Sequence, residues 1–475
     1  MTSARSRSPF ELASHEKVAS KSVATENSAI RKNPYAVSNL APLLTEKDPA
    51  ESSEGGINPL GTEALADALA VRLVPGVRER QQHPRFLTAL AVSLEVCRDF
   101  NEETLASDGV SEPWQVFEWY LVEGLVRTAE SGERVGLPGS QKATKAITDG
   151  VPLSAKRYLK SPTVFGFHGV YRQLARALGI ETDGRLGEAG FDLLNIWAKE
   201  QGLEGFAGTG GGEGLAVRNK LREAVQAGLE SHATDRNGNW FGWSFFRDHL
   251  APYAAGRKER HAISAMLLND AKGFRRDVIE SLISDAGRQA WKANNSEREF
   301  HAALHATACD ELLVLLDAID AYERFSRLCH DAFLDCLCEM TRQGGKKTSP
   351  AALAVLPSVK TASRRVPEMF SQIMERLEPV GEAARFRETF AGLAERGAAV
   401  GWVERLMEHH RKTQKQKPPK PNGKYPWFER FDDGSVIIRP HPRTEEPGAG
   451  DERYAHLYRS RSLWQFALDL KLVKP

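Results

Sequence analysis

The chain has 475 residues, 41% of them hydrophobic, which suffices for two or three domains with cores of their own. Its 64 Lys and Arg balance 63 Asp and Glu to leave +1, so any polyanion site must be a local excess. No apolar run approaches the roughly 18 residues of a spanning helix, and five cysteines, four of them between Cys309 and Cys338, make no disulfide framework, so a reducing, cytoplasmic setting away from membranes is expected.

Residues 1–58, rich in Ser, Ala, Glu, Lys and Pro and without an apolar period, predict a disordered arm. Over 59–110 a helical pair is expected. Leu65, Leu69 and Leu73 recur four apart, Pro75-Gly76 breaks the run, and Pro84 opens a second helix through Leu87, Leu90, Val92 and Leu94.

In 111–204, Ser111 can cap and Pro113 can sit in the first turn of a helix carrying Val116, Phe117, Tyr120, Leu121 and Leu125. Short helices are expected over 141–148 and 155–159, the second capped by Ser154, then longer ones over 164–179 and 190–200. Helix, tight turn, helix, tight turn, helix is the outline of a helix-turn-helix or winged-helix unit.

Residues 205–238 predict a Gly-rich link, Gly205 to Gly214, and a helix. Residues 239–411 are helical by pattern, and 412–424 form a basic, proline-rich linker. Residues 425–475 hold a β-hairpin turning on Asp433-Gly434 and a closing helix. The fold class expected is mainly α: multi-helical, with a helix-turn-helix or winged-helix-like unit and a small C-terminal β-hairpin.

Charge concentrates in one place. Between Ser140 and Ile180 lie Lys142, Lys145, Lys156, Arg157, Lys160, Arg172 and Arg176 against Asp149 alone, seven cations to one acid. Such an excess is the footprint of a polyanion site, in which lysines and helix N-termini meet phosphates. The candidate nucleic-acid contacts are Ser140, Lys142, Lys145, Ser154, Lys156, Arg157, Lys160, His168 and Arg172. A solvated helical face is the bland alternative, and core packing is expected for Phe165, Phe167 and Tyr171.

Other patterns carry less. His301, His305 and Cys309 are spaced four apart, with Cys329, His330, Cys336 and Cys338 downstream, but paired CxxC knuckles are missing and the surroundings are those of a helical core. Satisfied core histidines and buried thiols are expected, with no metal and no cofactor. Gly344-Gly345-Lys346-Lys347-Thr348 ends like a phosphate loop, yet Met340 stands where its first glycine belongs and a helix precedes it. Nucleophile elbows, HExxH and kinase signatures are absent, so catalysis is not expected unless the site is dispersed. Aromatic anchors dominate protein interfaces, which makes Trp240, Trp243, Phe246 and Trp464 candidate partner contacts, with core packing as the alternative.

The block Arg157-Tyr158-Leu159-Lys160-Ser161-Pro162 through Val164-Phe165-Gly166-Phe167-His168-Gly169-Val170-Tyr171-Arg172-Gln173-Leu174-Ala175 resembles uncharacterised helical proteins encoded in bacterial anti-phage defence islands. The resemblance implies a component of a multi-protein system acting on foreign DNA, and it brings no site residue with it. The function expected is therefore a non-catalytic, double-stranded-DNA-binding or adaptor subunit working with other proteins of a defence complex. The alternatives are a protein-only scaffold and a nuclease or hydrolase with a dispersed active site.

Overall fold

The computed structural model describes residues 58–101, 103–128, 136–269, 273–294, 296–418, 423–450 and 452–473. The N-terminal arm expected over 1–58 lies outside the described residues except for Asn58.

Helix α1 (Glu63–Leu73) buries Leu65, Ala66, Leu69, Ala70 and Leu73 along one stripe, the spacing visible in the sequence. Helix α2 (Phe86–Val96) buries all eleven of its residues. A helix apolar on nearly every side belongs at the centre of a bundle, and the first half of the chain is built around it. Helices α3 (Pro113–Thr128), α4 (Ser140–Thr148), α5 (Pro162–Phe165) and α6 (Phe167–Ala177) follow. A minimal hairpin, β1 (Glu181–Thr182) and β2 (Arg185–Leu186), turns on Asp183-Gly184, both at positive φ. Asp-Gly is the dipeptide that favours such a two-residue turn. Helices α7 (Glu188–Glu200) and α8 (Glu213–Ser231) pack on α2, and α9 (Phe241–Leu250) packs on α3.

Helices α10 (Arg257–Leu268), α11 (Arg275–Ile283), α12 (Asp285–Asn294) and α13 (Glu297–His305) lead to α14 (Asp310–Arg342). At 33 residues α14 is about 50 Å long, from the rise of ~1.5 Å per residue. After α15 (Pro350–Ala354), α16 (Pro357–Leu377) packs against α14, and α17 (Ala383–Phe390) and α18 (Ala399–Gln416) follow. Strands β3 (Phe428–Arg430) and β4 (Val436–Ile438) pair antiparallel, Phe428 opposite Ile438, with Gly434 at φ 77° in the turn. Helix α19 (Ser460–Asp469) closes the chain against α11. The protein is mainly α with a small C-terminal hairpin, and among the described residues no helix is long and apolar enough to cross a membrane.

The sequence suggested several domains, but the described residues gather as one compact unit around one core that includes Leu69, Leu90, Tyr171, Phe325 and Phe466. The reason is that the C-terminal third returns to the start of the chain. Tyr322 Oη donates to Thr62 O at 2.5 Å, His456 Nε2 lies 2.9 Å from Thr62 Oγ1, and His410 Nδ1 lies 2.8 Å from Pro59 O.

Local expectations also shift. Residues 155–158 form a turn, not a helix. The helix expected over 164–179 is broken at Gly166, where the backbone is extended and a Cβ would lie 2.3 Å from Glu118 Oε1. Ser111 Oγ donates to Asp108 Oδ2 at 2.7 Å. Residues 412–416, expected as linker, belong to α18. The Gly-rich link is held as well: Phe206 is buried, Gly208 N–H donates to Glu95 Oε1 at 3.0 Å, and Arg218 Nη1 donates to the carbonyls of Phe206 and Gly208.

Candidate nucleic-acid interface

The basic block starts from an αL glycine. Gly139, at φ 78°, precedes α4, whose Ala143 and Ala146 face the core while Lys142 and Lys145 are exposed. The next segment is pinned twice. Leu153, fully buried, exchanges hydrogen bonds with Thr234: its N–H donates to Thr234 Oγ1 at 2.9 Å and its carbonyl accepts the Thr234 N–H at 3.0 Å. Five residues on, buried Tyr158 donates its hydroxyl to Glu118 Oε1 at 2.7 Å. Between and beside these two anchors, Lys156, Arg157 and Lys160 are exposed. The two groups of cations are tied together, because Tyr158 packs so closely on Gly139 that a Cβ there would lie 2.2 Å from its hydroxyl oxygen.

Glu118 organises this corner from α3. Besides Tyr158 it accepts the N–H groups of Phe167 at 3.0 Å and His168 at 2.9 Å, satisfying two of the free donors at the start of α6. Burial pushes its carboxyl up to about 7, against the pull of those three donors.

Five of the expected contacts, Lys142, Lys145, Lys156, Arg157 and Lys160, thus stand exposed around one rigid corner. Lys145 pairs with the local acid, Asp149, at 2.8 Å. Ser140 and Ser154 are half-buried. The other two cannot serve as proposed. His168 is buried and stacks on Trp114 with ring centroids 4.6 Å apart, and burial, reinforced by Arg172 and Arg176, pushes its imidazole down to about 3. Arg172 Nε lies 2.8 Å and Arg176 Nε 3.1 Å from Glu181 Oε1, so one buried carboxylate takes both. Glu181 stands one residue beyond the segment whose charge was counted.

Arg80 is an exposed cation that sequence reasoning missed. It comes from the segment before α2, and its guanidinium sits 4.8 Å over the Phe165 ring. Nothing local in the sequence joins residue 80 to residue 165.

The aromatic surface proposed for partners is mostly interior. Trp243 and Phe246 are buried, and Phe246 packs edge-on against Phe117 at 5.8 Å. Gly124 makes room for it, since a Cβ there would lie 2.6 Å from Phe246 Cδ2. Trp240 is half-buried against Tyr120 and Trp243, and Trp464 is half-buried against the core. These side chains join α9 to α3 and α19 to the rest of the bundle.

His301, His305 and Cys309 do not converge. Buried His301 has Nε2 3.4 Å from Glu297 Oε2 without hydrogen-bond geometry, exposed His305 pairs with Asp317 at 3.1 Å, and Cys309 is exposed at the start of α14. Expected satisfaction of His301 and burial of Cys309 are both corrected, whereas Cys329, Cys336 and Cys338 are buried. Among the described residues no group of His, Cys, Asp or Glu could hold a metal ion.

No protein-family model, curated protein or solved structure matches this chain.

Proposed function

We propose that the protein is a DNA-binding or adaptor subunit that meets the phosphates of a duplex through Lys142, Lys145, Lys156, Arg157 and Lys160, with any chemistry on the nucleic acid left to a partner. The observation that carries this is the exposure of all five cations around a corner fixed by the Tyr158–Glu118 and Leu153–Thr234 bonds, with Asp149 their single ion-pair partner among the described residues. A rigid array loses little conformational freedom on binding, and phosphate contacts need no base-reading side chain. The resemblance of residues 157–175 to defence-island proteins supports a role for such a subunit in a system acting on foreign DNA.

Binding to labelled duplex across a salt series tests the proposal. Four to five neutralised phosphates predict a log–log salt slope of about −4. Changing the five residues together (Lys142→Glu, Lys145→Glu, Lys156→Glu, Arg157→Glu, Lys160→Glu) should weaken binding by at least about a hundredfold at moderate salt and flatten the slope. Because all five side chains are exposed, the variant should melt close to the wild type. Absence of wild-type binding at low salt overturns the proposal in favour of a protein-only scaffold.

A further inference from the structure

A cleft of about 530 Å³ opens beside the basic corner. Residues of three segments distant in sequence, 79–82, 136–139 and 159–165, line it together with Val170. Each is held in place independently of any ligand. Gln81 Nε2 donates to Val170 O at 2.9 Å, Tyr171 Oη accepts the N–H groups of Gln82 and His83 at 3.1 Å, and Ser462 Oγ donates to Glu79 O at 3.1 Å. On the opposite side Tyr158 abuts Gly139 at the start of α4. A preformed cleft of this size falls in the range of roughly 300–1,000 Å³ that takes small ligands.

Its lining has two chemical characters. Arg80 and Lys160 supply positive charge and Ser161 a hydroxyl, and the positive end of the α4 dipole opens at Gly139. Leu159 and Phe165 supply apolar and aromatic surface, with the Arg80 guanidinium 4.8 Å over the ring. A cationic groove beside an aromatic platform is how proteins hold an unstacked nucleotide.

We infer that the cleft holds one unstacked nucleotide of the bound nucleic acid, with its phosphate against Arg80, Lys160 and Ser161 and its base against Leu159 and Phe165. The inference rests on the proposed DNA binding and narrows its target. A duplex interior keeps its bases stacked, whereas a single-stranded overhang offers one to the cleft without the cost of unstacking.

The test compares the full chain's affinity for a blunt duplex and for the same duplex with a short single-stranded overhang. The wild type should prefer the overhang by about tenfold, the order expected for one stacked base. Ser161→Trp, which fills the cleft from an exposed position, should bring the ratio to about one, the value for no stacked base. No overhang preference in the wild type, or a preference unchanged in Ser161→Trp, overturns the inference. If neither DNA binds, the proposed function has failed, and a deoxydinucleoside monophosphate titrated alone by calorimetry decides the cleft. Binding abolished by Ser161→Trp keeps it as a nucleotide site, and no binding overturns it.

Discussion

Glu323→Ala should cost about 3–5 kcal/mol of folding stability, the usual result of breaking a buried charge pair from one side. Glu323 sits on α14, is 1% exposed, and accepts from four donors. His456 Nδ1 lies at 2.7 Å, Tyr458 Oη at 2.7 Å, and the N–H groups of Ala455 and His456 at 2.5 and 3.2 Å. His456 Nε2 then reaches Thr62 beside α1. Alanine would strand a buried imidazole, a hydroxyl and two amides, and would loosen the C-terminal segment from both α14 and the start of the chain. Burial alone would lower the His456 pKa, but Glu323 beside it raises it above its ordinary 6.5. Burial alone would raise Glu323, but His456, Tyr458 and the Ala455 N–H bring it below its ordinary 4.5. Stability from the raised histidine is full below 6.5 and lost as pH rises through its folded pKa. Stability from the depressed carboxylate is full above 4.5 and lost as pH falls through its folded pKa. The difference between wild type and variant in urea unfolding should therefore be largest between pH 4.5 and 6.5 and shrink on either side. A pH-independent difference would show that the pair is not ionised.

That network marks the boundary of what local sequence could reveal. The helices α1, α2, α3, α4 and α7 were legible because period, proline and glycine act within a few residues, and so was the hairpin turning on Asp433-Gly434. Thr62 and His456 are 394 residues apart, and no periodicity predicts that they touch. Hence the chain looked divisible where it shares one core. Lys142 and Lys145 were legible for the same local reason, since a lysine-bearing helix face beside buried alanines reads directly, whereas Lys156, Arg157 and Lys160 were legible by charge alone, the first two in a turn where a helix was expected. Arg172 and His168 were misplaced because their fates depend on residues elsewhere: Glu181 beyond the counted segment for Arg172, and Trp114 on α3, whose ring stacks on the buried His168 imidazole. Trp243 and Phe246 were ambiguous in principle, because an aromatic run can face a partner or a neighbouring helix. Here Gly124, far back in the chain, opens the slot that buries Phe246.

Glu118→Ala should separate the position of the basic corner from its charge. The substitution removes the acceptor of the Tyr158 hydroxyl and of the Phe167 and His168 N–H groups, three buried donors at about 1–3 kcal/mol each before relaxation, so a loss of about 3 kcal/mol is expected. The carboxyl's folded pKa, about 7, lies above its ordinary 4.5, so the folded state binds this proton more tightly and loses stability as pH rises between those values. Glu118→Gln keeps an acceptor oxygen but cannot titrate. It should destabilise less than alanine and remove that part of the pH dependence. No cation is lost in either variant. Released from Glu118, Tyr158 no longer fixes the turn that carries Lys156 and Arg157 against α4, and binding must then order it. Duplex affinity should fall by about two- to tenfold in Glu118→Ala, equivalent to the ~0.5–1.5 kcal/mol of ordering an immobilised side chain can cost, while the salt slope stays that of the wild type. An unchanged affinity in a folded, destabilised Glu118→Ala would show that the four lysines and one arginine act by charge alone and that the rigidity of the corner contributes nothing to binding.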